Sequence, residues 1–231
     1  MNLTRPFRLM LLSLLAVSSL ACAFSFDDLS NQEAGNGLRA ALDKGATVAV
    51  DQLGVENGFL SNDKVKIHLP SVLEKAKPLL KMAGKGPQLD ELEVQMNHAA
   101  ETAVPMAKNL LVEAVRKMTL SDAKRILTGG DTSVTDFFRE KTSTDLYVKF
   151  MPTVKGVTDR VGLARRYDDI MERAGRFGGV PDEEKTVEAY VTARALEGLY
   201  RMIAEEEKNI RQDPMGSGSK AIEKVFGLLR Q

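Results

Sequence analysis

LEVQMNHAAETAVPMAKNLLVEAVRKM, residues 92–118, decides the fold class. At 100° per residue Leu92, Met96, Ala99, Ala103, Ala107, Leu110 and Ala114 fall on one narrow arc. Ala100, Val104, Leu111 and Val115 widen that arc on one side, the pattern of an amphipathic helix. The stripe is rich in alanine, and small side chains let a neighbouring helix come close, which predicts a helix central to a bundle. It is expected to run over 89–118 with a kink or break at Pro105. Proline lacks the N–H for a bond back to residue 101 and crowds the preceding turn.

Outward from this stretch, helical spacing continues and no alternating strand run is found. LRAALDKGATVAVDQL, residues 38–53, spaces Leu38, Leu42, Ala46, Ala49 and Leu53 by threes and fours, so a first helix is expected from about Ser30 to Leu53. GVENGFLSND breaks it. VKIHLP reads as a short extended stretch, since Pro70 favours an extended residue before it, and a helix follows over 71–82. AGKGP is the next turn. Thr119 with Asp122 three residues on approximates a capping box for a short helix, which Gly129 and Gly130 stop. Further helices are expected from 132 to about 147 or 150, with Pro152 as punctuation, then over 154–159, 163–174, 182–211 and 220–229. The fourth of these ends before Asp213-Pro214, and MGSGS forms a flexible joint ahead of the last. The expected fold is all-α, a single-domain multi-helix bundle of about seven to nine helices, with no internal repeat and no domain linker.

The start of the chain has its own pattern: basic Arg5 and Arg8, an apolar run from Leu9 to about Leu20, then Ala21-Cys22-Ala23. This is the pattern of a secretory signal peptide, with an uncharged core shorter than the roughly 17–25 residues that cross a bilayer. Cleavage after Ala23 is expected, which divides the chain into a leader over 1–23 and a helical domain over 24–231. The expected location is the periplasm, with no transmembrane anchor after cleavage. Lipoprotein processing at Cys22 is the lesser alternative, because Ser19 stands where an aliphatic residue is needed. Cleavage after Ala23 would remove the only cysteine, so a hydrophobic core and not disulfides must stabilise the domain. It would leave thirty basic against thirty-two acidic side chains. That balance argues against a nucleic-acid binder, which needs a basic stripe to neutralise phosphates. No Trp and only four Tyr weaken any carbohydrate groove of stacking rings.

Polar residues on or beside apolar faces are the candidates for function. Asn97 and Glu101 lie at the edge of the alanine-rich arc and just beyond it. A buried polar contact that fixes how helices meet is expected there, with surface exposure and ligand contact as alternatives. His98 points to the far side and is expected to be solvated or paired at the surface. With Glu101 it supplies two ligands, too few for a closed metal site. Glu206 falls among Leu199, Met202, Ile203 and Ile210, while Glu205 and Glu207 point elsewhere. A carboxylate so placed should be paired or protonated, with Arg125, Arg139, Arg165 and Arg194 as candidate partners, and a helix solvated at that point or an acid-base or metal role as alternatives. In ILTGGDTSVTDFF the phosphate-loop spacing GxxxxGK[ST] is missing. There Gly129-Gly130 is expected to end one helix and Asp131, Thr132 or Ser133 to cap the next, with anion binding at that helix start as the alternative. No GxSxG, SxxK or HExxH occurs, and two histidines without a mature cysteine give Ser-His or Cys-His catalysis little material. The candidate polar set is Asn97, Glu101, Asp122, Arg125, Asp131, Glu206 and Arg211. No catalytic, cofactor-binding or metal-binding residue is assigned.

Several long stretches, in order, resemble the DUF4197 family of exported bacterial proteins: GLRAALDKGATVAVDQLG, NGFLSND with KIHLP, MNHAAETAVPMAK, MTLSDAKRILTGGDTSVTDFF, AYVTARALEGLYRMIAEEEKNIRQDP and KVFG. The resemblance spans 29–227. Asn97, Ala99, Ala100, Glu101, Asp122, Ala123, Ile126, Leu127, Gly129, Asp131, Phe138, Gly198, Glu207, Ile210, Arg211 and Pro214 match the family's characteristic positions. His98 departs from them, where an arginine is common, and so does MGSGS, where the family often carries another arginine and hydroxyl residues. The resemblance implies an exported, mainly helical single domain and brings no assigned activity, cofactor or partner.

Three functions are compatible with this sequence. The first is a non-catalytic periplasmic helical protein that binds a protein partner or supports the envelope. The second is a binder of a small apolar ligand or lipid between helices. The third is a carboxylate-based or metal-dependent hydrolase using Asn97, Glu101, Asp122, Asp131 and Glu206, which requires at least three of them in one cleft. The helix over 220–229 is expected to pack on its own domain rather than on another subunit.

Overall fold

The computed structural model describes residues 31–160, 164, 165, 167, 168 and 181–228. The expected leader, its cleavage site, Cys22 and most of the helix expected over 163–174 lie outside them. The described residues form helices and connecting turns, with no strand among them. The helices are α1 (Asn31–Leu53), α2 (Ser71–Met82), α3 (Gly86–Ala103), α4 (Ala107–Arg116), α5 (Leu120–Thr128), α6 (Ser133–Thr158), α7 (Val187–Gln212) and α8 (Lys220–Leu228).

The alanine-rich stripe is buried along its length, from Leu92 and Met96 through Ala99, Ala103 and Ala107 to Leu111 and Ala114. Each large apolar side chain buried this way contributes about 1.5–3 kcal/mol. Pro105 divides the stripe into α3 and α4, with a 3₁₀ turn over Val104–Met106 between them. Pro152 behaves differently. The punctuation expected there is missing, and α6 runs through it as one helix. Val148, four residues back, is 69% exposed, and a carbonyl that a proline leaves without a donor costs least on the solvent-facing side of a helix. Buried Phe150 and Val154 on either side hold the helix to the core.

One face of α7 is buried along its length and packs on α6, α1 and α3, while α1 also meets α4 and α8. Its start lies later than the sequence suggested, since 182–184 forms a separate 3₁₀ turn. Thr186 caps α7 by accepting the N–H of Ala189 at 3.2 Å. Two glycines set close approaches. A Cβ on Gly37 would stand 2.4 Å from the Ala221 carbonyl oxygen, where α1 crosses α8. One on Gly198 would stand 2.7 Å from the Phe59 ring, where α7 meets the connection between α1 and α2. α8 packs against α1 and α7 of the same chain through buried Ile222, Val225 and Phe226. The Lys44 ammonium donates to the Ser217 carbonyl and ties down the joint before it.

Candidate functional site

The connection from Gly54 to Pro70 is irregular chain, so several of its peptide groups need partners from elsewhere. α3 supplies them. Asn97, fully buried, accepts the Ile67 N–H at 2.8 Å and donates to the Ile67 carbonyl at 2.8 Å, much as a neighbouring strand would. Its amide also donates to the Glu93 carbonyl at 2.8 Å. One turn on, Glu101 accepts the N–H groups of Phe59 at 2.9 Å and Leu60 at 3.1 Å through Oε1. Its Oε2 lies 2.7 Å from Nδ1 of half-buried His98. The expected buried contact is present, but it joins a helix to irregular chain and not one helix to another.

Glu207 makes a second clamp, buried with a side chain only 1% exposed. It accepts the N–H of Val134 at 3.0 Å, the N–H of Thr135 at 3.1 Å and the Thr135 hydroxyl at 3.1 Å. Those are donors in the first turn of α6, which a helix leaves unsatisfied by itself and where a negative charge is favoured. Thr132 occupies the cap position without a side-chain cap bond, so the cap expected from Asp131, Thr132 or Ser133 comes from α7 instead. Arg211, one turn beyond Glu207, donates to Glu207 at 2.9 Å, to Ser133 Oγ at 2.7 Å and to the Ile126 carbonyl at 3.3 Å. Its guanidinium also sits 5.4 Å from the centre of the Phe226 ring. One ion pair thus fastens the ends of α5, α6 and α8 to α7.

The buried carboxylate is therefore Glu207, and Glu206 is only half-buried. Glu206 faces α1 at Gly45, where a Cβ would stand 3.7 Å from its own. None of the four arginines proposed as its partner pairs with it among the described residues. Arg125 instead meets Asp122 at 3.2 Å and Glu140 at 2.9 Å on the surface. Asp122 and Thr119 complete the expected capping box, each accepting the other's N–H at 3.1 Å. The Thr119 hydroxyl, then its N–H, with Lys141 and Arg125 nearby, hold the Asp122 carboxyl below its ordinary range. Asp131 is exposed. Of the seven candidate residues, no three meet in one hydrogen-bonded network among the described residues. Nor do three His, Cys, Asp or Glu side chains stand there in a group that could hold a metal ion.

A third carboxylate holds backbone at the start of α7, where Asp168 accepts the Val187 N–H at 2.8 Å. Burial pushes its carboxyl up to about 6 against that hydrogen bond.

The open space lies elsewhere. A cleft of about 570 Å³ runs between α6 and α7, lined by Arg139, Ser143, Thr144, Tyr147, Val148, Arg194, Glu197 and Tyr200 among others. Arg139 stacks 4.9 Å from the centre of the Tyr200 ring, and Arg194 lies 5.3 Å from that of Tyr190. Arg194 is held by Glu197 at 2.5 Å, whereas Arg139 has no carboxylate partner among the described residues. Burial pushes the Tyr200 phenol up, so it stays protonated and bonds Thr142 at 2.9 Å. The apolar space among Val134, Ile203, Ile210 and Phe226, by contrast, holds about 10 Å³, room for one water at most.

A family model described as a protein of unknown function, DUF4197, matches residues 28–227. The chain belongs to the DUF4197 family. Neither a curated protein nor a solved structure matches it. Within this DUF4197 chain both ends of the Glu207–Arg211 pair stand at positions singled out by the family resemblance, although periodicity had selected Glu206. Counting Leu196 and Tyr200 with the apolar stripe of α7 carries its edge round to Glu207, a signal that was available. Asp168 and the cleft had no such signal, because each depends on which helices become neighbours. No helix of the described residues is long and apolar enough to cross a membrane.

Proposed function

We propose that this chain is a non-catalytic helical protein of the periplasm that engages a protein partner through the α6/α7 cleft. The observation that carries the reading is Arg139, stacked on buried Tyr200 in an open cleft whose lining includes Glu183 and Glu197, and itself paired with no carboxylate among the described residues. Arginine and tyrosine set in such a pocket are the residue types that dominate binding energy at protein interfaces. A partner segment presenting a carboxylate beside an apolar side chain would complete the arrangement, pairing with Arg139 and covering Tyr147 and Val148. The charge balance and the leader pattern agree with an exported binding protein. A hydrolase has less support, because Asn97, Glu101 and Asp122 are engaged in holding backbone. A small apolar ligand has less support as well, since the cleft is open and lined by charges.

In-cell photocrosslinking tests this. A photoreactive residue at Val148 is expected to give a discrete adduct that Arg139→Glu abolishes, while one at exposed Val55 gives none. Failure to crosslink from Val148, or equal adducts from both positions, would overturn the reading.

A further inference from the structure

α2 stands apart from the other helices in what it leaves uncovered. Only Leu73 of its twelve residues is buried, and Val72, Leu79 and Met82 are 39%, 71% and 87% exposed. At 100° per residue these three share one side of the helix with Lys75 among them. Lys77 and Lys81 flank the opposite side, and Lys85 follows the turn at Gly84, whose φ of +72° brings the chain back into α3. Leu79 and Met82 therefore sit near the tip of the α2–α3 hairpin. Between 71 and 86 there are four lysines and one carboxylate, Glu74, which is already paired with Lys77 at 3.2 Å. The whole chain carries as many acidic as basic side chains, so this excess is local.

We propose that α2 is a membrane-surface contact that seats on a bilayer containing anionic phospholipid. Exposed apolar side chains with a lysine among them, and further lysines on the same hairpin, suit a helix lying in the headgroup layer. The apolar groups enter the acyl boundary while the long lysine stems carry their ammonium groups back to the phosphates. An acidic protein surface could satisfy the lysines, but it would not receive the protruding Leu79 and Met82 without a matching pocket. A fluid bilayer receives them in any register. This contact is distinct from the α6/α7 cleft, and either can fail without the other.

The chain contains no Trp, so Leu79→Trp gives a single-site reporter. With protein purified from its producing cells, tryptophan emission is expected to shift to the blue on adding vesicles of phosphatidylglycerol and phosphatidylcholine. Vesicles of phosphatidylcholine alone are expected to give little shift, and added salt to reverse it. In co-sedimentation, Leu79→Ser with Met82→Ser should weaken binding to the anionic vesicles at least about tenfold, as should Lys75→Glu with Lys81→Glu. All four positions are solvent-facing, so unchanged circular-dichroism melts should show the fold intact. Absence of binding at low salt, binding indifferent to both double variants, or a concentration-dependent dimer abolished by Leu79→Ser with Met82→Ser would each overturn the proposal, the last in favour of a second copy.

Discussion

Glu101 and Glu207 perform the same operation at two places and are supported differently. Each buried carboxylate takes two consecutive backbone N–H groups, from Phe59 and Leu60 in one case and from Val134 and Thr135 in the other. Glu101 is backed by half-buried His98 and holds a loop. Glu207 is backed by Arg211, itself only 14% exposed, and holds the start of a helix whose dipole favours the negative charge. Removing Glu101 strands two amides, whereas removing Glu207 strands two amides, a hydroxyl and a guanidinium. The lesson is that a buried charge matters according to what it would leave unpaired, more than according to its own depth.

The comparison can be broken most directly at Glu207. Glu207→Ala is expected to cost about 3–5 kcal/mol in urea unfolding, because Arg211 loses its counter-charge in the interior. Glu101→Ala should cost less, about 2–3 kcal/mol. Hydrogen exchange should then quicken at Phe59 and Leu60 while α6 stays protected. Equal losses at the two sites would contradict the difference drawn between them.

Asp168 sharpens the contrast, since it also holds a backbone N–H but its carboxyl is raised to about 6 from 3.8. The folded chain thus keeps a proton that the unfolded chain releases. The stabilisation linked to that proton is complete below about pH 4 and is lost as pH rises through 6. Asp168→Asn removes this dependence and keeps an acceptor. At pH 7 the variant is expected to be more stable by about 1 kcal/mol, discounted for partial solvent exposure, and at pH 4 to match the parent. A variant less stable at pH 7 would show that the ionised form is the favoured one. Glu206→Ala marks the floor of the series and should change stability by under about 0.5 kcal/mol.

Much of the fold was legible because helix stripes and caps are local. The alanine face of α3 and α4, the Pro105 break and the Thr119–Asp122 box each depend on residues within a few turns. Pro152 was misread because its effect depends on whether the freed carbonyl meets water, which only the packing of α6 decides. Asn97 and Glu101 were identified as polar contacts, but their partners lie 30 to 42 residues away in chain with no periodicity to read. Glu207 was missed because a one-residue error turns a helix by 100°, enough to exchange a buried carboxylate for its half-buried neighbour. The cleft had no local signature, since Arg139 and Tyr200 come together only when α6 and α7 pair.

The acceptor for the first turn of α6 lies 73 residues downstream of Val134. During synthesis α6 is therefore finished long before the carboxylate that caps it exists, and its opening turn stays wet until residue 207 arrives. Arg211 and Phe226 come later still, so α7 and α8 together act as a latch on several helices at once. A contact of such long range is slow to close. A fold built this way cannot fasten the start of α6 until α7 has been made.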